Sequence, residues 1–241
     1  MSRKRVVVAG LGDSGLLTAI HLSRHVEVVG ISAKEALVSG QELGVRLSRP
    51  DDWAQDYWIS FDRFRRLDRV RRVHGSLAAL DLEARTVTVH GPDGIFLIQP
   101  YDVLVIATGV RNGFWRQPTL QSTDEVGTDL REAHERLAAA DSVAVIGGGA
   151  AAVSSAVNLA TTWPDKAIRL YFPGDHALPQ HHKRVWRRVH TRLLEQGVTL
   201  HPQHRAVVPD GFALDRITSE PVEWSTGQPA TTVDAVLWAI G

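Results

Sequence analysis

Short runs of consecutive apolar residues alternate with amphipathic segments along this chain. The first run covers residues 6–9, and a second covers Val26 to Ile31 after an amphipathic stretch from Leu16 to Ser23. A run that is apolar at every position is typical of a strand buried on both faces of a parallel sheet. Strand, helix and strand joined by so short a crossover predict a βαβ unit of fixed handedness.

The same pattern recurs in the second half of the chain. The apolar run 143–146 precedes a second glycine-rich turn, an amphipathic segment from Val153 to Thr161, and an apolar run from Ile168 to Phe172. A further pair of similar segments closes each half, at residues 101–109 and 233–241. Two unrelated α/β segments that share glycines by chance are the alternative, but four landmarks in matching order at nearly matching spacing favour an internal duplication.

The segments between these landmarks differ in the two halves. A polar, tryptophan-rich stretch covers residues 51–72. Three short strands follow, at 76–81, 86–90 and 95–99, and a Gly-Pro-Asp-Gly turn between the last two predicts a β-meander. In the second half, residues 187–195 predict a helix that ends at a glycine.

The junction between the halves is predicted at residues 112–118, which carry glycine and proline after a strand end. The sequence therefore predicts two domains, residues 1–115 and residues 116–241. The fold class is α/β, with two similar units and a β-meander inserted in each.

Composition limits the possible functions. The chain is 44% hydrophobic and 22% charged, as in ordinary folded domains, and its 27 basic and 27 acidic residues give no electrostatic case for a nucleic-acid partner. Cysteine is absent, which excludes disulfides, thiolate metal sites and a redox-active dithiol. No apolar run approaches the roughly 20 residues of a membrane helix. We expect a cytoplasmic protein without a transmembrane segment, while peripheral membrane contact and the oligomeric state stay open.

The first glycine-rich turn has the spacing of a phosphate-binding turn. Gly10 would allow the tight turn, Gly12 the close approach of a pyrophosphate to the backbone, and Gly15 the close packing of helix on strand. The unpaired N–H groups and the dipole at a helix N-terminus stabilise the charge of the phosphates. The preceding valine run and the following helix supply the context that this motif requires.

The second turn has the same form, with Gly147, Gly148 and Gly149 followed by Ala152, which the motif tolerates in its last position. The alternative is that this glycine-rich turn serves only the packing of the chain and binds no nucleotide. Two such turns in one chain point to two dinucleotides, and therefore to electrons that pass between them.

The acidic residue that commonly binds the ribose is missing from both units. Ser32 stands at that position in the first unit, with Glu35 close behind it, and Phe172 stands there in the second. Basic residues follow in the segment 181–188, which leaves room for the 2′-phosphate of NADPH. A solvated basic helix face is the alternative. The adjacent histidines 181 and 182 diverge and have no carboxylate or cysteine partners, so no metal site is predicted.

With both glycine turns and the Ala107-Thr108-Gly109 strand end in place, the chain resembles the two-dinucleotide pyridine nucleotide–flavin oxidoreductases. It is most similar to the branch without an N-terminal redox disulfide, which contains type II NADH dehydrogenases and apoptosis-inducing-factor-like NAD(P)H:quinone oxidoreductases. This resemblance implies two Rossmann-like units, the NAD(P)H-binding one nested in the FAD-binding one. Relatives return to the FAD domain after the position of Gly241 with a Gly-Asp segment, and then add an interface domain. We therefore expect the sequence to correspond to a truncated member that lacks both.

The resemblance also implies the cofactor contacts of individual residues. The FAD would be bound by the first turn, by the adenosine-end residues and by the strand end, namely Gly10, Gly12, Asp13, Ser14, Gly15, Ser32, Lys34, Leu77, Ala107, Thr108 and Gly109. Leu77 would act through its backbone. The NAD(P)H would be bound by Gly147, Gly148, Gly149, Ala152 and Ser154. Ser154 stands where relatives often carry a glutamate near the nicotinamide ribose.

The implied activity is hydride transfer from the nicotinamide to the flavin, and on to a small-molecule or small-protein acceptor such as a quinone, an iron–sulfur protein or oxygen. No catalytic side chain is assigned, because the cofactors carry this chemistry. Two alternatives remain at this point, an FAD-dependent monooxygenase and a nucleotide-binding regulatory fragment without turnover.

Overall fold

The computed structural model describes residues 3–38, 43–109, 119–208, 211 and 216–240. These residues form two compact units. The first contains the described residues up to 38 together with 55–109 and 119–126, and the second contains 43–54 and those from 127 onward. The predicted junction at 112–118, with its boundary after residue 115, lies outside the described residues, so the two predicted domains stay a prediction.

In chain order the strands and helices are β1 (Arg5–Ala9), α1 (Asp13–Leu22), β2 (Glu27–Ser32), β3 (Ala36–Val38), α2 (Leu43–Ser48), α3 (Pro50–Tyr57), β4 (Trp58–Ser60), two short 3-10 helices (Phe61–Arg63 and Arg65–Arg69), β5 (Val70–His74), β6 (Ser76–Asp81), β7 (Thr86–His90), β8 (Phe96–Pro100), β9 (Val103–Ile106), α4 (Thr123–Ala139), β10 (Ser142–Ile146), α5 (Ala150–Thr162), β11 (Ala167–Tyr171), α6 (Lys183–Glu195), β12 (Thr199–His201), β13 (Ile217–Thr218) and β14 (Ala235–Trp238).

A four-stranded parallel sheet in the order β5-β2-β1-β9 forms the centre of the first unit. Val6 and Val8 of β1 pack with Leu16 of α1, and Val7 packs on the opposite face with the β7 residue Val87. Because both faces of the sheet are covered, β1 is apolar from Val6 to Ala9. The β-meander β6-β7-β8 supplies the second cover, and β3 and β4 form a separate antiparallel pair.

The second unit repeats this plan with one addition. Its sheet has the order β12-β11-β10-β14-β13, in which only β13 is antiparallel. Helix α5 packs against β10 and β11. Ala144 and Ile146 of β10 join an apolar cluster with Tyr171, Trp224 and Trp238. The predicted α/β fold and the internal duplication are thus present in the structure.

Several predicted boundaries were wrong by one to four residues. Helix α1 begins at Asp13 rather than Leu16, because Gly12 is already its N-cap. Helix α6 begins at Lys183 rather than Arg187, since the His182 side chain accepts a hydrogen bond from the Arg184 backbone N–H and caps it. The third meander strand begins at Phe96 rather than at residue 95.

Three helices were absent from the prediction: α2, α3 and α4. Helix α4 begins with a capping box, in which Ser122 Oγ accepts from the Glu125 N–H at 3.3 Å and Glu125 accepts from the Ser122 N–H at 2.7 Å. Helix α3 starts at Pro50 with two aspartates in its first turn.

Among the described residues, none of the helices is long and apolar enough to cross a bilayer.

Candidate functional site

The first glycine turn is closed by the backbone of the last strand of its unit. Gly10 has φ +101°, and a Cβ at this residue would lie 2.3 Å from the Ala107 carbonyl oxygen. A Cβ on Gly15 would lie 1.9 Å from the Gly10 carbonyl oxygen. Both positions therefore require glycine, one for its left-handed conformation and the contact with β9, the other for the close packing of α1 on the turn.

Gly12 is different, because no atom of the described residues occupies the space beside it. It is the N-cap of α1 with φ −71°, it supplies no side-chain cap, and an added Cβ would meet nothing within 4 Å. Asp13 and Ser14 follow in the first turn of the helix and are exposed. The N-terminal N–H groups of α1 thus face open space beside a glycine, as phosphate binding at this position requires.

The second glycine turn repeats this geometry. Gly147 has φ +144°, and a Cβ there would lie 2.4 Å from the Ala239 carbonyl oxygen and 3.1 Å from the Ala152 Cβ. Gly149 is the N-cap of α5, without a side-chain cap, and an added Cβ would meet nothing within 4 Å. Gly148 lies beneath the turn, where a Cβ would be 3.2 Å from the Phe172 Cβ.

Equivalent hydrogen bonds tie each turn to its neighbouring strands. The Gly10 N–H donates to the Ile31 carbonyl at 2.8 Å, and the Gly147 N–H donates to the Tyr171 carbonyl at 2.9 Å. At the far end of each last strand, an aspartate binds the start of the first strand. Asp102 accepts from the Arg5 N–H at 2.6 Å, and Asp234 accepts from Ser142 at 2.8 Å. The hydrogen bonds from Ser142 lower the pKa of Asp234.

Ser32, predicted at the ribose position, and Lys34, predicted near the adenosine end of the FAD, are both hydrogen-bonded within the chain. Ser32 Oγ donates to the Lys34 carbonyl at 2.7 Å and accepts from the Lys34 N–H at 3.2 Å. Lys34 Nζ donates to the Thr119 carbonyl at 2.7 Å and to the Gln121 side chain. Sequence reasoning missed these partners. A cofactor contact by either side chain stays a prediction.

Glu35, the neighbouring carboxylate, caps the start of α4. Its Oε2 accepts from the Thr123 N–H at 3.0 Å and from the Thr123 hydroxyl at 2.9 Å, and His74 Nδ1 lies 3.9 Å from its other oxygen. The hydrogen bonds from Thr123 lower the pKa of Glu35. This carboxylate therefore holds a helix N-terminus, which its position in the sequence did not predict.

The remaining predicted FAD residues lie on two elements. Leu77 is half-buried on β6 opposite Val89, beside the apolar cluster under the meander. Thr108 and Gly109 follow β9 and are exposed, and Gly109 has φ +74°. The structure therefore brings Ala107 into contact with the first glycine turn, and places Thr108 and Gly109 directly after that contact.

Ser154 lies on α5 beneath a helix that the sequence did not predict. A Cβ on Gly44 of α2 would lie 2.7 Å from the Ser154 carbonyl oxygen, so the two helices cross at small residues. Asn158 Nδ2 donates to the same oxygen at 2.9 Å, and Asn158 Oδ1 accepts from Arg49 at 3.0 Å. The Ser154 backbone is therefore part of a helix contact, and a role of its side chain near the nicotinamide stays a prediction.

The end of β11 offers no carboxylate at the expected ribose position. Phe172 is 1% exposed and packs edge-on against Trp186 of α6, with the ring centroids 5.7 Å apart. The following basic side chains are exposed at the start and along one side of α6, namely those of His181, His182, Lys183, Arg184, Arg187 and Arg188.

Both turns fit a dinucleotide, because each combines a glycine of positive φ against the last strand with one open glycine at a helix N-terminus that has no side-chain cap. Residues 4–241 match the family described as pyridine nucleotide-disulphide oxidoreductase. The chain belongs to this family. The predicted family and fold class are thus confirmed, and FAD and NAD(P)H are the cofactors of this family, as predicted.

Individual relatives agree with this assignment. Ferroptosis suppressor protein 1 of Xenopus tropicalis is 26% identical over 247 residues, which cover 98% of this chain and 62% of that protein. The fold is similar to that of a ferredoxin reductase for the CYP199A2 system from Rhodopseudomonas palustris, with a TM-score of 0.73, 18% identity, and coverage of 99% and 59% of the two chains. The fold is also similar to that of the NADH-bound water-forming NADH oxidase from Lactobacillus brevis, with a TM-score of 0.71 and 17% identity. That match covers 99% of this chain and 54% of the oxidase. The chain thus spans less than two thirds of the length of these relatives.

Proposed function

We propose that this chain forms the nucleotide-binding part of an FAD-dependent NAD(P)H oxidoreductase. When bound, the cofactors supply hydride transfer from the nicotinamide to the flavin, from which electrons pass to a quinone, an iron–sulfur protein or a similar acceptor. The observation that carries the proposal is the pair of glycine turns with the same geometry. In each, a left-handed glycine lies against the last strand, and an open glycine caps the following helix.

The first turn would hold the FAD pyrophosphate. Gly12 leaves room for a phosphate at the N-terminus of α1, where backbone N–H groups and the helix dipole bind negative charge. Gly10 and Gly15 fix the turn, and Ala107 supports it from the neighbouring strand. These residues bind and orient the cofactor, and no proton transfer by a side chain is required.

The second turn would hold NAD(P)H in the same way, with Gly149 in the place of Gly12. The buried Phe172 and the exposed basic side chains on α6 support a coenzyme with a 2′-phosphate. Parallel titrations with NADH and NADPH test this choice. If Arg184→Ala and Arg188→Ala weaken NADPH but leave NADH unchanged, the basic residues contact the 2′-phosphate. Equal effects on the two coenzymes would assign them to a solvated helix face.

The similar structures also bear on the electron acceptor. They include a ferredoxin reductase and a water-forming NADH oxidase, which support a small redox protein or oxygen as acceptor. Steady-state assays with a ferredoxin, a soluble quinone and oxygen would rank these candidates.

Reduction of bound flavin tests the core of the proposal. The purified chain is incubated with FAD, freed of excess cofactor, and mixed with NADH or NADPH without oxygen. We expect a visible flavin absorption band that bleaches on addition of the nicotinamide. A colourless protein that cannot be reconstituted would refute the enzymatic proposal and favour a regulatory nucleotide-binding role. Bleaching that requires an added organic substrate would favour a monooxygenase.

A further inference from the structure

Five arginines gather at the edge of the first sheet that lies opposite the glycine turn. Strands β1, β2 and β5 are parallel and in register, so the residues that precede them meet at one edge. Helix α1 ends at the same edge. The residues brought together are Arg3 before β1, Arg24 after α1, and Arg65, Arg66 and Arg69 before β5. We call this group the arginine edge.

Two adjoining clefts lie between these side chains. One, of about 560 Å³, is lined by Arg3, Arg24 and Arg69 with Ser23, Val26 and Glu27. The other, of about 260 Å³, is lined by Arg24, Arg65, Arg66 and Arg69 with Ile20 and Ser23. Arg24 and Arg69 therefore border both clefts.

Little negative charge is available to neutralise this edge. Glu27 is the one acidic residue that lines either cleft, and Arg5 already binds both of its carboxylate oxygens at 2.8 and 3.2 Å. Within the described part of the chain, the side chains of Arg24, Arg65, Arg66 and Arg69 form no hydrogen bond or ion pair. The whole chain carries no net charge, so this concentration of cations is local.

The internal duplication shows that the fold does not need these arginines. At the equivalent edge of the second unit, Asp141 precedes β10, Asp165 and Lys166 precede β11, and Gln196 lies before β12. Lys166, which precedes β11, donates to the carbonyls of Ala138 and Ala140. None of the four residues named at this edge is an arginine, so the same parallel arrangement forms without an arginine cluster before its strands.

We propose that the arginine edge binds a ligand with two phosphate groups, one in each cleft, with Arg24 and Arg69 between them. A planar guanidinium donates two parallel hydrogen bonds to a phosphate, and a cluster of such groups matches a doubly phosphorylated ligand better than a single anion. The ligand is either a soluble bisphosphate or the headgroup of a bisphosphorylated lipid. The site lies at the opposite end of β1 from Gly10, so it stands independently of the proposed oxidoreductase activity.

Calorimetric titration of the full chain with inositol bisphosphate tests the proposal. We expect saturable binding that weakens with added salt, and a loss of about 100-fold in affinity for Arg24→Ala combined with Arg69→Ala, because each variant removes charge-assisted hydrogen bonds. The matched control combines Arg131→Ala with Arg192→Ala, which removes the same charge from exposed helix positions in the second unit and should leave the affinity unchanged. Both arginines of the test variant are exposed, so its thermal unfolding should match that of the unmodified chain.

A second arm distinguishes the source of the phosphates. Sedimentation with phosphatidylcholine vesicles is compared with and without phosphatidylinositol bisphosphate, for the unmodified chain and for both double variants. If the unmodified chain binds vesicles that contain phosphatidylinositol bisphosphate but not the soluble probe, and only the test variant loses this binding, the site is assigned to a lipid headgroup. Binding to the soluble probe of similar strength assigns it to a soluble ligand. If neither probe binds, or if the two double variants bind like the unmodified chain, the proposal is wrong.

Discussion

Replacing Gly12 by alanine separates phosphate binding from folding. An alanine Cβ at this position meets no atom within 4 Å in the part of the chain that the structure describes, and φ is −71°, which any residue adopts. The same change at Gly10 would place a methyl group 2.3 Å from the Ala107 carbonyl oxygen at φ +101°. Loss of FAD binding in a Gly10 variant would therefore report only a damaged fold. In Gly12→Ala, loss of FAD binding instead indicates that the new methyl group fills the space of a phosphate.

The expected magnitudes differ enough to be measured separately. Alanine is a poorer N-cap than glycine, which costs about 1 kcal/mol of stability. It also restricts the unfolded chain, which stabilises the folded state by about 0.4–1 kcal/mol. The free energy of unfolding should thus change by less than about 1 kcal/mol. A methyl group that displaces the pyrophosphate from the helix N-terminus forfeits about two charge-assisted hydrogen bonds, or about 3–6 kcal/mol. This corresponds to a loss of FAD affinity of about 100-fold or more.

The assay combines urea unfolding of the cofactor-free chain with an FAD titration followed by flavin fluorescence. Gly149→Ala is the matched variant, because its Cβ also meets nothing within 4 Å. We expect Gly12→Ala to lose FAD and retain NAD(P)H affinity, and Gly149→Ala to show the reverse. Unchanged FAD affinity in a stably folded Gly12→Ala variant would refute the assignment of the first turn.

Three further predictions concern stability. In Gly127→Ala of α4, the atoms nearest to the new Cβ belong to the flexible Arg131 side chain, the first at 3.2 Å. The substitution should raise the free energy of unfolding by about 1 kcal/mol, measured in urea; no gain would mean that α4 does not limit stability. Gly44→Val should lower it by about 1–3 kcal/mol, since an added Cβ lies 2.7 Å from the Ser154 carbonyl, and an unchanged value would contradict the close crossing of α2 and α5. Burial, with smaller contributions from neighbouring cations, lowers the pKa of His201. Stability should therefore fall as the pH drops below about 6.5 towards the folded-state pKa, and His201→Phe should reduce this acid sensitivity in thermal unfolding.

The parallel strands and the glycine turns were predictable from sequence because their signals are local. A strand covered on both faces is apolar throughout, and Gly10 and Gly147 adopt left-handed conformations that other residues rarely accept. Helix α4 was also within reach, since its Ser-x-x-Glu capping box and its buried Val126, Leu130 and Leu137 follow the helical repeat. These local signals predict a helix from residue 123 onward.

Other features depend on partners distant in sequence. Lys34 bonds Thr119 and Gln121, and Glu35 caps Thr123, in each case across more than eighty residues. Nothing near Lys34 in the sequence indicates these contacts. The packing of Gly44 on α5 is likewise a tertiary contact, which places residues from the first half of the chain in the second unit.

The carbonyl of Ala107 beneath Gly10 has a consequence for how the chain is made. The first strand of this unit meets its last strand only after the intervening residues have been synthesised, as the contact between Arg5 and Asp102 across 97 residues illustrates. On the ribosome, the first turn therefore stays unsupported until β9 has emerged, and the second waits similarly for β14 because Ser142 and Asp234 are 92 residues apart. Since domains fold as units during synthesis, each proposed dinucleotide site should become able to bind its cofactor in a single late step rather than gradually.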